Sequence, residues 1–208
     1  MLKRIAYRIL NIPLVWIIFQ HFVGANRWKK TMYPSVFRSR GALLDFGSSM
    51  GNTTQDFLDF DYTGIDTDPS MIDAATKRWA GYENVRFVCA DILTKPFPDA
   101  SFDHVLFACT GHHLTDEEMK KIIPALLATL RPGGELHFFD VIKQPGKDGF
   151  TTRLIMNNDQ GKHMRLREEY DALFAPYTVS EKKLFPSPDG NIVKLQDMLY
   201  FRVAKPVS

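Results

Sequence analysis

Three acids, a glycine turn and a histidine pair carry the chemistry open to this chain. Asp45, Gly47, Ser49 and Gly51 stand at alternate positions in Leu43-Leu44-Asp45-Phe46-Gly47-Ser48-Ser49-Met50-Gly51-Asn52. A short apolar run ends there in an acid and breaks into a turn. Gly47 lets the backbone reverse sharply, and Gly51 lets a ligand approach with no Cβ in the way. A strand, such a turn and a helix starting at Asn52 together make a seat for a nucleotide-like ligand. The dinucleotide pattern G-x-G-x-x-G is not met, because Ser49 and Asn52 occupy its second and third glycine positions.

Asp66 follows about 20 residues after the turn, where an acid accepts hydrogen bonds from ribose hydroxyls. That chemistry serves a nicotinamide dinucleotide as well as other adenosine ligands. Asp91 ends a further apolar run, Val85-Arg86-Phe87-Val88-Cys89-Ala90-Asp91, where a carboxylate can receive the exocyclic amine of adenine. An acid at a strand end is otherwise a cap or a turn former, but three at successive strand ends argue for a ligand. His112 and His113 sit beyond the next apolar run, and histidine is the natural base near neutral pH. The plainer reading is that one of them caps or packs the helix that follows.

The elements that must position these groups alternate between strand and helix, which implies a mostly parallel sheet in an α/β fold. Strands are expected at 43–46, 62–65, 85–89, 102–108 and 135–141, with helices over 53–60, from 68–69 onward, and from 115 to about 130. Asp68-Pro69 gives an N-cap acid and proline at the first helical position. Thr115 and Glu118 form a capping box, and Pro124 should kink the helix they open. Arg131-Pro132-Gly133-Gly134 reads as a tight turn. A short helix near 150–156, a helix over 166–174 and strands over 178–185 and 192–203 complete a Rossmann-like, doubly wound, seven-stranded sheet with a C-terminal antiparallel hairpin.

The chain's 208 residues suffice for one domain with a full core. A net charge of +2 is too small to argue for nucleic acid. The charge is uneven, however: basic residues crowd the first forty positions, and the first acid is Asp45. Cys89 and Cys109 have no metal-ligand spacing, so no metal is expected and both read as buried apolar thiols in a reducing compartment.

Residues 9–23 are apolar and flanked by basic residues. They are short for a transmembrane helix and contain Asn11, Pro13, Gln20 and His21. Val23-Gly24-Ala25 makes a poor signal-peptide cleavage site. Two readings stand about level: a helix on an anionic membrane surface through Trp16, Phe19 and Phe22, or a lid over the domain's own pocket or against a second copy. Residues 1–40 are therefore expected to be a basic, apolar helical extension to a domain over 41–208. The extension's membrane-surface stretch would be residues 5–30. The location expected is cytoplasmic, as a monomer or homodimer, with peripheral attachment to the inner face of the membrane under the first reading.

The acidic-x-Gly-x-Ser-x-Gly order at 45–51 resembles motif I of the class I S-adenosylmethionine (AdoMet) methyltransferases, D/E-x-G-x-G-x-G, with Ser49 in place of the middle glycine. Pro96-Phe97-Pro98-Asp99-Ala100-Ser101-Phe102-Asp103 resembles the "PFPDASFD" stretch of methyltransferases of the ubiquinone/menaquinone-biosynthesis type. His112-His113-Leu114-Thr115-Asp116 resembles their "HHL-x-D" segment, and Leu130-Arg131-Pro132-Gly133-Gly134 their "LRPGG" turn. The resemblance covers about residues 41–140.

It implies AdoMet as cofactor, with Asp45, Gly47, Ser49 and Gly51 around its methionine part and Asp66 on the ribose. Thr67 and Met71 would flank the adenine, Asp91 and Ile92 would bind its other side, and Ala108 and Cys109 would line the pocket below the sulfonium. If position 49 needs a positive φ, serine there carries strain. The activity implied is methyl transfer to a small-molecule or lipid-like acceptor, leaving S-adenosylhomocysteine. His112 or His113 would be the base if one is used, and Tyr33, Tyr170 and Tyr177 are further candidates to line the acceptor site. No Pro-Pro-Tyr-type motif follows the fourth strand, which argues against an amino methylase of DNA bases. A non-catalytic AdoMet-binding or regulatory module and a nicotinamide-dependent oxidoreductase are the alternatives.

Overall fold

The computed structural model describes residues 25–149, 152, 156, 161–187 and 196–207. The apolar stretch at 9–23, most of the short helix expected near 150–156 and the turn around 188–195 lie outside them.

Seven strands form one sheet in the order β3-β2-β1-β4-β5-β7-β6. They are β1 (Ala42–Phe46), β2 (Asp61–Asp66), β3 (Val85–Cys89), β4 (Phe102–Ala108), β5 (Leu130–Val141), β6 (Val179–Phe185) and β7 (Met198–Ala204). Strands β3, β2, β1, β4 and β5 run parallel. β7 enters antiparallel between β5 and β6, pairing with both. The chain order reverses between β1 and β4, and an open α/β sheet places its ligand crevice at such a switch point, beyond the carboxyl ends of the strands.

Four α-helices are described: α1 (Ala25–Met32), α2 (Pro69–Trp79), α3 (Asp116–Thr129) and α4 (Arg167–Phe174). α2 begins as expected, with the Asp68 carboxylate accepting from the Ser70 amide at 2.8 Å. α3 opens on the expected capping box: the Thr115 amide donates to Glu118 Oε2 at 2.7 Å, and the Glu118 amide donates to Thr115 Oγ1 at 3.2 Å. Pro124 lies inside α3.

The expected helix at 53–60 is not formed. Residues Thr54–Phe57 make one 3-10 turn, because the few residues before β2 are too few to nucleate an α-helix that repays its ordering. β5 also starts earlier than expected: Leu130 already pairs with Phe102, and the register slips before Glu135 meets His104. The Arg131–Gly134 stretch is thus an irregular start of the strand, with Gly133 at φ +78°.

Strand alternation splits the core into two layers. Val105, Phe107, Leu136, Phe138, Leu199 and Phe201 face α3 and α4 on one side. Leu106, Phe139 and Tyr200 face the other, where Met32, Tyr33, Val36 and Phe37 cover them. No helix among the described residues is long and apolar enough to cross a membrane.

Candidate functional site

The carboxyl ends of β1, β2, β3 and β4 lie side by side, because these strands are parallel and in register: Phe46 pairs with Ile65 and Phe107, and Asp66 pairs with Cys89. The glycine turn is stitched to β2. The amides of Gly47 and Ser48 donate to the Ile65 carbonyl at 2.9 and 3.1 Å, and the Gly51 amide donates to the Ser48 carbonyl at 3.0 Å. Asp66 completes the seam, its Oδ2 accepting from the Ser49 amide at 2.9 Å and its Oδ1 from the Asp68 amide at 3.0 Å. Each of those oxygens keeps a further lone pair for a ligand hydroxyl.

Gly47 and Ser49 both have positive φ, +76° and +49°. Serine therefore stands in the left-handed region where glycine is at ease, the strain anticipated for this position. Gly51 is at φ +71° as well. A Cβ there would meet Trp79 Nε1 at 2.6 Å and Phe87 at 3.0 Å, so its bareness makes room for the protein's own indole. Trp79 Nε1 donates to the Gly51 carbonyl at 3.1 Å.

Asp45 is a buried brace beneath the turn. Its Oδ2 accepts from Thr53 Oγ1 at 2.6 Å and from the Tyr62 hydroxyl at 2.5 Å. Burial raises its pKa, the bonds from Thr53 and Tyr62 pull it back, and the nearby charge of Asp66 raises it further.

Around the turn, Ser49, Met50, Asp66, Met71, Ala108, Cys109 and Thr110 are half-buried, and Thr67 and Asp91 are exposed. Asp91 Oδ1 caps the next turn by accepting from the Leu93 amide at 2.9 Å, so the plainer role for a strand-end acid is realised there too. Ile92 is buried in the core. Cys89 is exposed, contrary to the expected buried thiol, because it lies on the edge strand of the sheet. Cys109 is half-buried at φ +52°, with its Sγ 3.2 Å from the Tyr33 hydroxyl.

His112 and His113 separate clearly. His113 is exposed, whereas His112 is 5% exposed and its Nδ1 lies 2.5 Å from Asp140 Oδ1. Their rings are 4.3 Å apart. Asp140, at the end of β5, is fully buried and also accepts from the Val141 amide at 2.8 Å. Tyr170 is buried beside Asp140, and that carboxylate adds to burial in raising the phenol's pKa. Tyr177 packs by its ring on Phe174.

Sequence reasoning missed Asp140 and Arg165. Arg165 is buried and holds the segment after β4 in place. It donates to the carbonyls of Gly111 at 2.9 Å, His163 at 3.1 Å and Leu114 at 2.6 Å, and to Asp116 Oδ1 at 2.8 Å. Asp140 had a local signal, an acid ending the apolar run of β5. Arg165 had none, because all its partners but one lie about fifty residues away.

Residues 43–134 match the model of the family described as "Methyltransferase domain". Over that stretch the chain is similar to methyltransferases. It is 31% identical over 107 residues to an uncharacterized methyltransferase of Anoxybacillus flavithermus, covering 50% of this chain and 49% of that one. It is 28% identical over 121 residues to a phosphoethanolamine N-methyltransferase of Plasmodium falciparum, covering 56% and 45%. The chain thus spans about half the length of these curated relatives. The crystal structure of YcgJ from Bacillus subtilis superposes with a TM-score of 0.65 at 20% identity, covering 90% of this chain and 99% of that one, which is a likeness of fold.

The donor set at the turn suits AdoMet, the cofactor that the sequence resemblance implies. Asp66 would offer two carboxylate oxygens to a pair of ribose hydroxyls. Met71 would offer a half-buried apolar surface to a purine, and Asp91 an exposed acceptor to its amine. Position 47 must be bare, since a Cβ there would meet Thr110 Oγ1 at 2.4 Å.

Proposed function

We propose that this chain moves a methyl group from AdoMet to a small-molecule or lipid-like acceptor and leaves S-adenosylhomocysteine. The observation that carries the reading is Asp66, which ties the glycine turn to the end of β2 while keeping acceptor capacity on both oxygens. Gly47, Ser49 and Gly51 would hold the methionine part, with Asp45 bracing the turn from below. Asp66 would hold the ribose, Thr67, Met71 and Asp91 the adenine, and Ala108 and Cys109 the wall below the sulfonium. Bound AdoMet supplies an electrophilic methyl group, and the protein contributes position and exclusion of water.

A histidine of the pair is the base in this reading. His112 is oriented by the Asp140 carboxylate at its Nδ1, and His113 stands exposed beside it. Either imidazole would take the proton of a hydroxyl or amine acceptor. The Plasmodium falciparum relative, a phosphoethanolamine N-methyltransferase, supports a small polar acceptor. The basic, apolar first forty residues support an acceptor borne at a membrane surface, with the protein on the cytoplasmic side.

The test is incubation with methyl-labelled AdoMet and a fractionated cell extract, polar and lipid fractions apart. Label in either fraction, lost in the His112→Ala chain, supports the reading. Cofactor binding with no label transferred to any fraction makes the chain a binding module instead. Deleting residues 1–24 lowers binding to anionic liposomes if the membrane arm holds, and equal binding by both forms removes that arm.

A further inference from the structure

On the opposite half of β4 and β5 from Cys109, two imidazoles face each other. His104 of β4 pairs with Glu135 of β5 in register, and His137 stands two residues on. Both histidines are buried, at 2% and 0% exposure. Each has one ring nitrogen engaged by a hydroxyl: His104 Nε2 lies 3.0 Å from Ser39 Oγ, and His137 Nδ1 lies 3.0 Å from the Tyr200 hydroxyl. The remaining nitrogens, His104 Nδ1 and His137 Nε2, are 3.3 Å apart. Glu135 Oε2 is 3.7 Å from the same His137 nitrogen.

We propose that His104, His137 and Glu135 bind one divalent transition-metal ion of the zinc type, apart from the methyl-transfer site. Two nitrogens held at about 2.0–2.1 Å from a tetrahedral ion stand about 3.3 Å from each other, which is the spacing found here. Metal-bound imidazoles donate their second N–H to an oxygen that fixes the ring, and Ser39 and Tyr200 supply those oxygens. The carboxylate oxygen is 3.7 Å from His137 Nε2 and within 4.8 Å of His104 Nδ1, so it must close on the pair, and its side chain is on the partly exposed edge of the cluster. Ser39 is exposed above His104 and marks the way in.

The opposing charge is Arg202, 3.5 Å from Glu135 Oε1. That guanidinium is already taken up by Glu181 at 2.7 Å and by the Val36 carbonyl at 2.6 Å. Glu135 can therefore turn Oε1 toward Arg202 and Oε2 toward the ion. A bound ion would fasten the segment before β1 to the sheet, since Ser39 bonds His104 and Phe37 stacks on His137 with ring centroids 4.0 Å apart.

The experiment uses the full chain, stripped with a chelator and titrated with Co2+ and then Zn2+. One equivalent of Co2+ should bind with the visible spectrum of a four-coordinate ion, and Zn2+ should displace it and raise the melting temperature. Glu135→Gln should weaken binding at least tenfold, and Ser39→Ala by about tenfold through loss of the ring-fixing hydroxyl. Both residues are on the accessible side of the cluster, so circular dichroism should show both variants folded. His113→Ala should bind as the parent chain does. A folded parent chain that takes up no stoichiometric ion overturns the proposal and leaves a neutral imidazole–imidazole hydrogen bond. Binding that survives Glu135→Gln and Ser39→Ala, or that His113→Ala abolishes, places any ion elsewhere and also overturns it.

Discussion

Asp66 Oδ2 accepts the Ser49 amide proton at 2.9 Å. One bond therefore joins the glycine turn after β1 to the acid after β2, the two features proposed to hold the cofactor. Asp66→Ala removes this seam and the ribose acceptor at once. We expect AdoMet affinity to fall by about 1–3 kcal/mol, the range for losing charge-assisted hydrogen bonds. Calorimetric titration reads it, and unchanged affinity would take Asp66 out of the site.

Ser49 lies at φ +49°. A β-branched residue there meets the full left-handed penalty, so Ser49→Val should lower stability by about 1–2 kcal/mol. Ser49→Gly removes the penalty, and the chain should melt no lower than the parent by more than a degree or two. Urea unfolding orders the three, and a valine variant as stable as the parent would show that the turn relaxes out of this conformation.

His112, held to Asp140 at 2.5 Å, should matter to turnover and not to cofactor binding. His112→Ala should lower the rate with a proton-bearing acceptor by about 10²–10⁴-fold while AdoMet affinity stays within twofold. The exposed His113 should give a much smaller loss when changed to alanine. A fall in AdoMet affinity with an unchanged rate would make His112 a packing residue.

Asp45 gives a signed pH dependence. Burial raises its folded-state pKa above the ordinary 3.8, so between 3.8 and the raised value the folded chain binds the proton more readily than the unfolded chain. Its contribution to stability grows as pH falls through that window and shrinks as pH rises. Asp45→Asn cannot titrate, so the parent should gain on it as pH is lowered from 7 to 4. A difference in unfolding free energy that stays flat over this range would contradict the assignment.

Local signals in the sequence were read well where neighbours in the chain decide the outcome. Val85–Cys89 and Phe102–Ala108 are strands with the expected ends, and Thr115 with Glu118 closes a capping box within one turn. The strand-end acids Asp45, Asp66 and Asp91 do gather at one edge of the sheet, as the parallel pattern requires. What the sequence hid depends on partners far along the chain. Gly51 reads as ligand clearance, and only the fold brings Trp79, 28 residues on, into the space beside it. Asp140 is one more strand-end acid until His112 reaches it. His104 and His137 are 33 positions apart, with no short-range spacing to mark a ligand pair; only the adjacency of β4 and β5 brings them to 3.3 Å.

The central claim is that the turn at Gly47 and Ser49, with Asp66, holds AdoMet. Calorimetric titration of the parent chain with AdoMet, S-adenosylhomocysteine and NAD tests it most directly. One AdoMet site per chain is expected, competed by S-adenosylhomocysteine and untouched by NAD. Saturable NAD binding with no heat from AdoMet would contradict it.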